Sequence, residues 1–101
     1  MPNKFEIRYL PIAQKDLFSI LDWIAKDSPS RAVAFVGLLD KRIGTLSAHP
    51  LMGRVPRNEK LRNIGYHILI FEDYLVFYVI RGQTVEIHRV LNGSRHFEEI
   101  I

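Results

Sequence analysis

The residues with the clearest chemical potential form a basic segment near the end of the chain, from Arg89 to Arg95. Arg89 lies in a run that otherwise reads as an apolar strand, where an arginine must be either paired or used in binding. Asp16 and Glu86 are both carboxylates that could pair with it, and the sequence leaves that choice open. We therefore take Arg89, Asn92 and Arg95 as the candidate functional residues of this segment.

The histidines offer a second kind of chemistry, because an imidazole can transfer a proton near neutral pH. They are His49, His67, His88 and His96. Alternate side chains of a strand share a face, so His88 lies with Glu86 and opposite Arg89 unless a β-bulge intervenes. By the same rule His67 faces away from the residues on either side of it. A surface or packing role is the alternative for each of these histidines.

A second basic region occupies residues 49–63, which contain Pro50, Gly53 and Pro56 and lack a sustained apolar period. This stretch is predicted to be a loop, and loops of such length tend to be functional or mobile. Its basic residues are Arg54, Arg57, Lys60 and Arg62. They could form a phosphate-binding stripe or dock a protein partner, and a solvated loop is the alternative.

Length and composition limit the architecture and the setting. A chain of 101 residues, 48% hydrophobic and 25% charged, matches one globular domain spanning residues 1–101. The net charge of +3 favours acidic partners only weakly. There is no cysteine, and the histidines have no local ligand spacing, so neither a metal nor a cofactor is predicted. Without a secretory signal or a long apolar run, we expect a cytoplasmic protein with no membrane partner.

The first half of the chain predicts a strand followed by two helices. Phe5, Ile7 and Tyr9 alternate with polar residues, as in a strand with one buried face. Apolar stripes with three- and four-residue spacing then predict helices from Ile12 to about Lys26 and from Pro29 or Ser30 to about Ser47. The link between them is short enough for an antiparallel hairpin.

The second half predicts an antiparallel meander. Its three strand-like runs are Ile64–Phe71, Leu75–Ile80 and Thr84–Leu91. The middle run is apolar throughout, as expected of a central strand covered on both faces. A short terminal helix follows, with Phe97, Ile100 and Ile101 on one side. The simplest architecture is an α+β fold in which the helix hairpin covers one face of a four-stranded sheet and the other face is partly open. The aromatic residues expected in its core are Phe5, Phe18, Trp23, Phe35, Phe71 and Phe77.

This order of elements, together with a series of short motifs, resembles the RelE/ParE superfamily of bacterial toxins. The motif residues are Leu46 to Arg54, with its leucine, proline and glycine-arginine; Leu61-Arg62; Gly65-Tyr66; and Val85 to Arg95, which reads VEIHRVLNGSR. The resemblance covers essentially the whole chain. It implies the toxin half of a two-gene toxin–antitoxin module, held inactive by a cognate antitoxin, and it is compatible with a homodimer within the toxin–antitoxin complex.

The resemblance implies one of two activities. RelE-like members cut mRNA on the ribosome, whereas ParE-like members poison DNA gyrase and are not nucleases. This chain has His67 where RelE-like toxins often place arginine, and Phe97 lacks the hydroxyl of the aromatic acid or base that many such nucleases carry. These departures favour a ParE-like toxin that inhibits growth by binding gyrase through Arg89, Asn92 and Arg95, and that is not an enzyme.

Two alternatives stay open beside this reading. A ribosome-dependent mRNA endonuclease would use Arg95, His67 and His88, with the ribosome and mRNA as partners. A non-toxic relative would bind only the antitoxin. In every case the partly uncovered, apolar sheet and helix surface suggests a groove suited to an amphipathic antitoxin segment.

Overall fold

Two helices that begin with proline follow a short first strand in the computed structural model, which describes residues 4–93. These elements are β1 (Glu6–Tyr9), α1 (Pro11–Ala25), α2 (Pro29–Gly44) and a 3₁₀ turn (Thr45–Ser47). A proline is tolerated in the first turn because its missing N–H has no partner there. Ser28 caps α2 by accepting a hydrogen bond from the backbone N–H of Arg31 at 3.3 Å. The predicted helix hairpin is confirmed.

The strands form one sheet in the order β1-β4-β3-β2. The last three strands are β2 (His67–Phe71), β3 (Tyr74–Arg81) and β4 (Thr84–Asn92). They form the predicted antiparallel meander, and β1 joins it beside β4 in parallel register, with Ile7 opposite Val85. The predicted four-stranded α+β fold is confirmed, although β2 begins at His67 and not at Ile64.

The helix hairpin packs on one face of the sheet. The buried residues of this helix-side core are Ala13, Ile20, Leu39, Ile43, Leu46, Leu69, Val76, Tyr78, Val85, Ile87 and Val90. Along β3, Val76 and Tyr78 belong to this core, whereas Phe77 and Val79 belong to a second core on the opposite face. Burial on both faces explains why residues 75–80 of β3 form a continuous apolar run.

Two aromatic residues of α1 lie outside the core, contrary to the expectation for them. Phe18 is 65% exposed and Trp23 is 68% exposed. The sheet and α2 cover only the stripe that contains Ala13 and Ile20, so residues off that stripe remain at the surface. The ammonium of Lys26 lies 5.4 Å from the centre of the Trp23 ring, a cation–π contact that partly covers the ring.

The predicted loop of residues 49–63 contains a short third helix, α3 (Glu59–Ile64), so its description as a structureless loop is wrong. Asn58 caps α3 by accepting a hydrogen bond from the N–H of Leu61 at 3.0 Å, and Gly65 ends it at φ 101°. Leu61 is the only buried residue of α3. A helix of six residues with one buried position shows no apolar period, which is why the pattern failed to predict it.

The segment before α3 is fastened to the sheet by Tyr78. The Tyr78 hydroxyl donates to the carbonyl of Pro50 at 2.7 Å and accepts from the N–H of Gly53 at 2.9 Å. A Cβ atom added at Gly53 would lie 2.6 Å from this hydroxyl oxygen, so only glycine fits there. Arg54 then exchanges two backbone hydrogen bonds with Ile68 of β2, at 2.7 and 2.8 Å. Pro50, Gly53 and Arg54 of the sequence motif therefore attach this segment to the sheet.

The predicted terminal helix lies outside the described residues. Within residues 4–93, no helix is both long and apolar enough to cross a membrane.

Candidate functional site on the open sheet face

The sheet face opposite the helix hairpin, called here the open face, is covered only in part. Its core residues are Leu61, Tyr66, Ile68, Phe77, Val79 and Leu91, with Leu75 partly buried against them. Leu61 comes from α3 and Tyr66 from the turn after it, so this short helix is the main cover. The charged residues of β4 lie beside this small core.

A β-bulge decides the direction of those charged residues. Phe77 of β3 pairs with Arg89, but the next β3 residue pairs with Ile87, so His88 has no opposite residue. Ile87 and Val90 both belong to the helix-side core, although they are three positions apart. His88 and Arg89, which lie between them, are therefore both on the open face. Strict alternation would have placed His88 and Arg89 on opposite faces. The β-bulge interrupts the alternation, so the two residues share a face.

Arg89 is held by Asp16 of α1 in a bidentate ion pair. Its Nε donates to Oδ2 at 2.8 Å and its Nη2 donates to Oδ1 at 3.0 Å. The same Oδ2 accepts the backbone N–H of Val90 at 2.9 Å, beyond the point where pairing of β4 with β1 ends at Ile87. The side chains of Arg89 and Asp16 are only 16% and 13% exposed, and hydrogen bonding to Asp16 raises the pKa of Arg89. The partner of Arg89 is therefore Asp16 and not Glu86.

A second group of residues forms a hydrogen-bonded chain across the open face, called here the polar chain: Tyr66, His88, Glu86 and Arg81. The Tyr66 hydroxyl lies 2.8 Å from His88 Nδ1. His88 Nε2 lies 3.2 Å from Glu86 Oε1, and Arg81 Nε donates to the same oxygen at 2.9 Å. The His88 and Glu86 side chains are 16% and 18% exposed, so the middle of the polar chain is largely shielded from water, whereas Arg81 at its end is 65% exposed.

The chemistry of the polar chain follows from its acceptors. An ionised carboxylate can only accept, so His88 Nε2 carries a proton and, in the neutral imidazole, Nδ1 accepts from the Tyr66 hydroxyl. Hydrogen bonds from His88 and Arg81 lower the pKa of Glu86, which keeps it ionised. Burial raises the pKa of the Tyr66 phenol, an effect that the positive charges of Arg81 and Arg89 oppose. The arrangement resembles a catalytic triad, with a hydroxyl, an imidazole and a carboxylate in series.

His67 lies on the other side of the sheet. Its ring stacks on Tyr78 of the helix-side core, with ring centres 5.3 Å apart, as the strand alternation predicts. Burial lowers the pKa of this imidazole, and its Nδ1 is buried without a hydrogen-bond partner in the described part of the chain. His67 and His88 are therefore on opposite faces, and the structure does not bring these two candidate catalytic histidines together.

The basic residues of the 49–63 region are all exposed but have different surroundings. Arg54 and Arg57 line a groove beside β2, and Lys60 lies on α3. Arg62, in the last turn of α3, donates to the carbonyl of Arg57 at 2.9 Å and that of Pro56 at 3.5 Å. Arg62 thus holds the segment before α3 in place, and none of the four forms an ion pair within residues 4–93.

The remaining candidates lie at or beyond the end of β4. Asn92 pairs with Tyr74 of β3 and lines a cavity of about 320 Å³ together with Asp16, Ser19 and Trp23. Arg95 and His96 lie outside the described residues. Within residues 4–93, no three histidine, aspartate or glutamate side chains are grouped so as to hold a metal ion.

Comparison with known proteins identifies the family to which this fold belongs. The sequence profile of the ParE toxin of type II toxin–antitoxin systems, parDE, matches residues 7–97. The chain belongs to the ParE toxin family. Among curated individual proteins, none matches it.

Two solved structures share the ParE-family fold of this chain. One is described as a chromosomal ParDE toxin–antitoxin system from P. aeruginosa; it has a TM-score of 0.74 and 19% identity, over 90% of this chain and 98% of that one. The other is the toxin–antitoxin complex RelBE2 from Mycobacterium tuberculosis, with a TM-score of 0.61 and 25% identity, over 88% of this chain and 98% of that one. The recognised superfamily, and the ParE-like branch of it, are confirmed.

The polar chain of this ParE family member is the feature that sequence reasoning missed. Strand alternation did place Glu86 and His88 on one face. Nothing in the sequence showed that Tyr66, which follows α3, would reach the same face, because α3 itself was not predicted. The Asn58 cap and the glycine at position 65 are the two local signals that would have found it.

Proposed function

We propose that this ParE family member is a growth-inhibiting toxin that binds DNA gyrase in the bacterial cytoplasm and is neutralised by a cognate antitoxin. The observation that carries the proposal is the match of the ParE toxin profile to residues 7–97. The two solved structures named above are toxin–antitoxin assemblies by description, which supports an antitoxin as partner. In this proposal Asn92 and Arg95 contact the target, while Arg89 acts through Asp16 by fixing the end of β4.

The electrostatics of the open face support binding over catalysis. A ribonuclease needs a cation free to hold the scissile phosphate. Arg81 of the polar chain is paired with Glu86, and Arg89 is paired with Asp16, so neither of these two cations is free for that role. His67, which the nuclease reading required, is on the opposite face.

A second candidate function has one specific observation in its favour. The Tyr66–His88–Glu86 arrangement could transfer a proton to or from a ribose hydroxyl, as a ribosome-dependent mRNA endonuclease requires. This candidate nuclease site contains Tyr66 in place of His67. His88→Ala distinguishes the two functions, because it removes the central proton carrier of a nuclease but no proposed gyrase contact.

The deciding experiment is induced expression of the toxin in a bacterial host without the antitoxin, combined with a gyrase supercoiling assay on purified proteins. We expect filamentation, induction of the DNA-damage response and inhibited supercoiling, while translation continues. Rapid translation arrest with mRNA cut at ribosomal A-site codons would support the nuclease and refute gyrase binding. Growth without any defect, from intact and well-expressed protein, would indicate a relative that only binds the antitoxin.

Arg95→Ala tests the residue assignment. We expect it to abolish toxicity and gyrase inhibition while antitoxin affinity stays within about threefold of wild type, since the proposal assigns Arg95 to the target and not to the antitoxin. Arg31→Ala, an exposed arginine of α2, is the matched control and should remain fully toxic. Wild-type toxicity of Arg95→Ala would remove Arg95 from the site.

A further inference from the structure

A groove beside the edge strand β2 combines apolar and basic side chains. It has a volume of about 380 Å³, and we call it the basic groove. Its lining residues are Arg54, Val55, Pro56, Arg57, Asn58, Ile68, Ile70 and Leu75. It lies between the segment that leads into α3 and the open face of β2 and β3, on the opposite side of the sheet from the helix hairpin.

The apolar lining of the basic groove is incompletely buried. Val55 is 59% exposed and Ile70 is 42% exposed, while Leu75 is partly buried at the margin of the open-face core. Ile68 forms the floor at 9% exposure. Several neighbouring aliphatic side chains in contact with water at one concave site mark a place where burial by a partner is favourable.

Among residues 4–93, the charged side chains that line the groove are all cations. Arg54 and Arg57 line it, both are exposed, and neither forms an ion pair with any carboxylate in the described part of the chain. The groove therefore offers aliphatic surface flanked by cations, which is complementary to a segment with apolar and acidic residues together.

The residues that line the groove also favour a protein over a nucleic acid as its ligand. Grooves that bind single-stranded nucleic acid combine cations with aromatic side chains on which the bases stack. Among residues 4–93, no aromatic residue lines the basic groove, and its apolar surface there is aliphatic or proline. Such a lining fits the aliphatic side chains of an amphipathic peptide segment better than it fits bases.

We infer that the basic groove binds an acidic, amphipathic segment of the antitoxin, with aliphatic side chains against Val55, Ile70 and Leu75 and carboxylates against Arg54 and Arg57. This inference rests on the antitoxin part of the proposed function and deepens it by assigning a docking surface and a chemistry. It does not depend on gyrase as the target.

The first test measures the affinity of the purified toxin for its proposed cognate antitoxin. Arg54→Glu combined with Arg57→Glu should weaken binding on the order of 30-fold, from the loss of about two charge contacts, and should lower its salt sensitivity. The matched control, Arg31→Glu with Arg42→Glu on the exposed side of α2, should stay within about threefold. Equal affinities for the two double variants would overturn the inference.

The apolar half of the groove has its own pair of variants. Ile70→Ser should weaken antitoxin binding about tenfold, because it removes aliphatic surface that the segment buries. Val33→Ser, at a position of α2 that is 68% exposed, is the control and should bind as wild type does. A thermal melt of each variant checks that the fold is retained. Equal binding by Ile70→Ser and its control contradicts an apolar contact at this site.

The occupant is identified by placing a photo-crosslinking amino acid at position 55 and co-expressing the antitoxin. We expect an antitoxin peptide of net negative charge to be crosslinked to the groove. A link to nucleic acid, to residues 94–101 of the toxin itself, or to an antitoxin segment without acidic residues would each overturn the inference. Toxicity without antitoxin should be unchanged in the groove variants, so failure of gyrase inhibition is scored separately from failure of antitoxin docking.

Discussion

Two pairs of arginines in this chain are in opposite electrostatic situations. Near the end of β4, Arg89 is bidentate to Asp16 of α1, and on the open face Arg81 is bonded to Glu86, so both charges are matched within the chain. At the basic groove, Arg54 and Arg57 have no carboxylate partner among the described residues. An internally matched charge stabilises the fold and has little left to offer a ligand. An unmatched exposed charge contributes little to stability and is available for binding.

The largest effect should come from breaking the matched pair at Asp16. Asp16→Ala leaves the largely buried Arg89 guanidinium and the N–H of Val90 without their acceptor, and we expect a loss of about 3–5 kcal/mol in the free energy of unfolding. Urea denaturation measures it. Asp22→Ala, at an exposed position of the same helix, should change the value by less than about 0.5 kcal/mol. Equal stability of the two variants would mean that Arg89 is not matched by Asp16.

A smaller effect is expected from the polar chain. Tyr66→Phe removes the hydroxyl that bonds to His88 Nδ1 and should cost about 1 kcal/mol in the free energy of unfolding. Tyr74→Phe is the control, because the Tyr74 hydroxyl has no hydrogen bond within residues 4–93 and its ring contact with Phe35 is kept. A loss no greater than that of the control would argue against the chain as a stabilising network.

The pH dependence of stability tests the matched charge at Glu86. Because the pKa of Glu86 is lowered in the folded protein, the stability it contributes is present above the ordinary glutamate value of 4.5 and is lost as the pH falls below that value. Glu86→Gln should therefore be less stable than wild type at pH 7, and the difference should shrink toward pH 3. The exposed Glu6→Gln is the control. A difference that is constant with pH would contradict the lowered pKa.

The smallest effect on stability is expected at the basic groove. Arg54→Ala combined with Arg57→Ala should leave the free energy of unfolding within about 0.5 kcal/mol of wild type, since neither side chain has an ion-pair partner in the described residues. Thermal and urea unfolding of the double variant give the answer. A loss of several kcal/mol would show that these arginines are structural and would remove the contrast between the two regions.

The order of the main helices and strands could be predicted from the sequence because it depends on local periodicity. The apolar stripes of α1 and α2 and the continuous apolar run of β3 reflect burial that each segment records in its own residues. The exposed Phe18 and Trp23 show the limit of that reasoning. Their residue type favours burial, but the sheet and α2 cover only one stripe of α1.

The candidate site depended on contacts between distant segments. Alternation along β4 predicted that Glu86 and His88 share a face. The bulge at His88 arises from the register between β4 and β3, and it places Arg89 on the face opposite to the one that alternation predicts. The match of Arg89 with Asp16 joins residues 73 positions apart. Tyr66 follows α3, whose Leu61 packs in the same open-face core, so its position depends on a helix that the sequence pattern did not predict.

The sequence by itself thus determined the helix hairpin, the strands, the family and the basic segment at the end of β4, since each follows from residue types and their local spacing. Only the tertiary structure decided which arginines are matched and which are available. The ion-pair partner of a charged side chain depends on the register between strands and on the packing of a helix against the sheet. The spacing of residues along one segment predicts neither the register nor the packing.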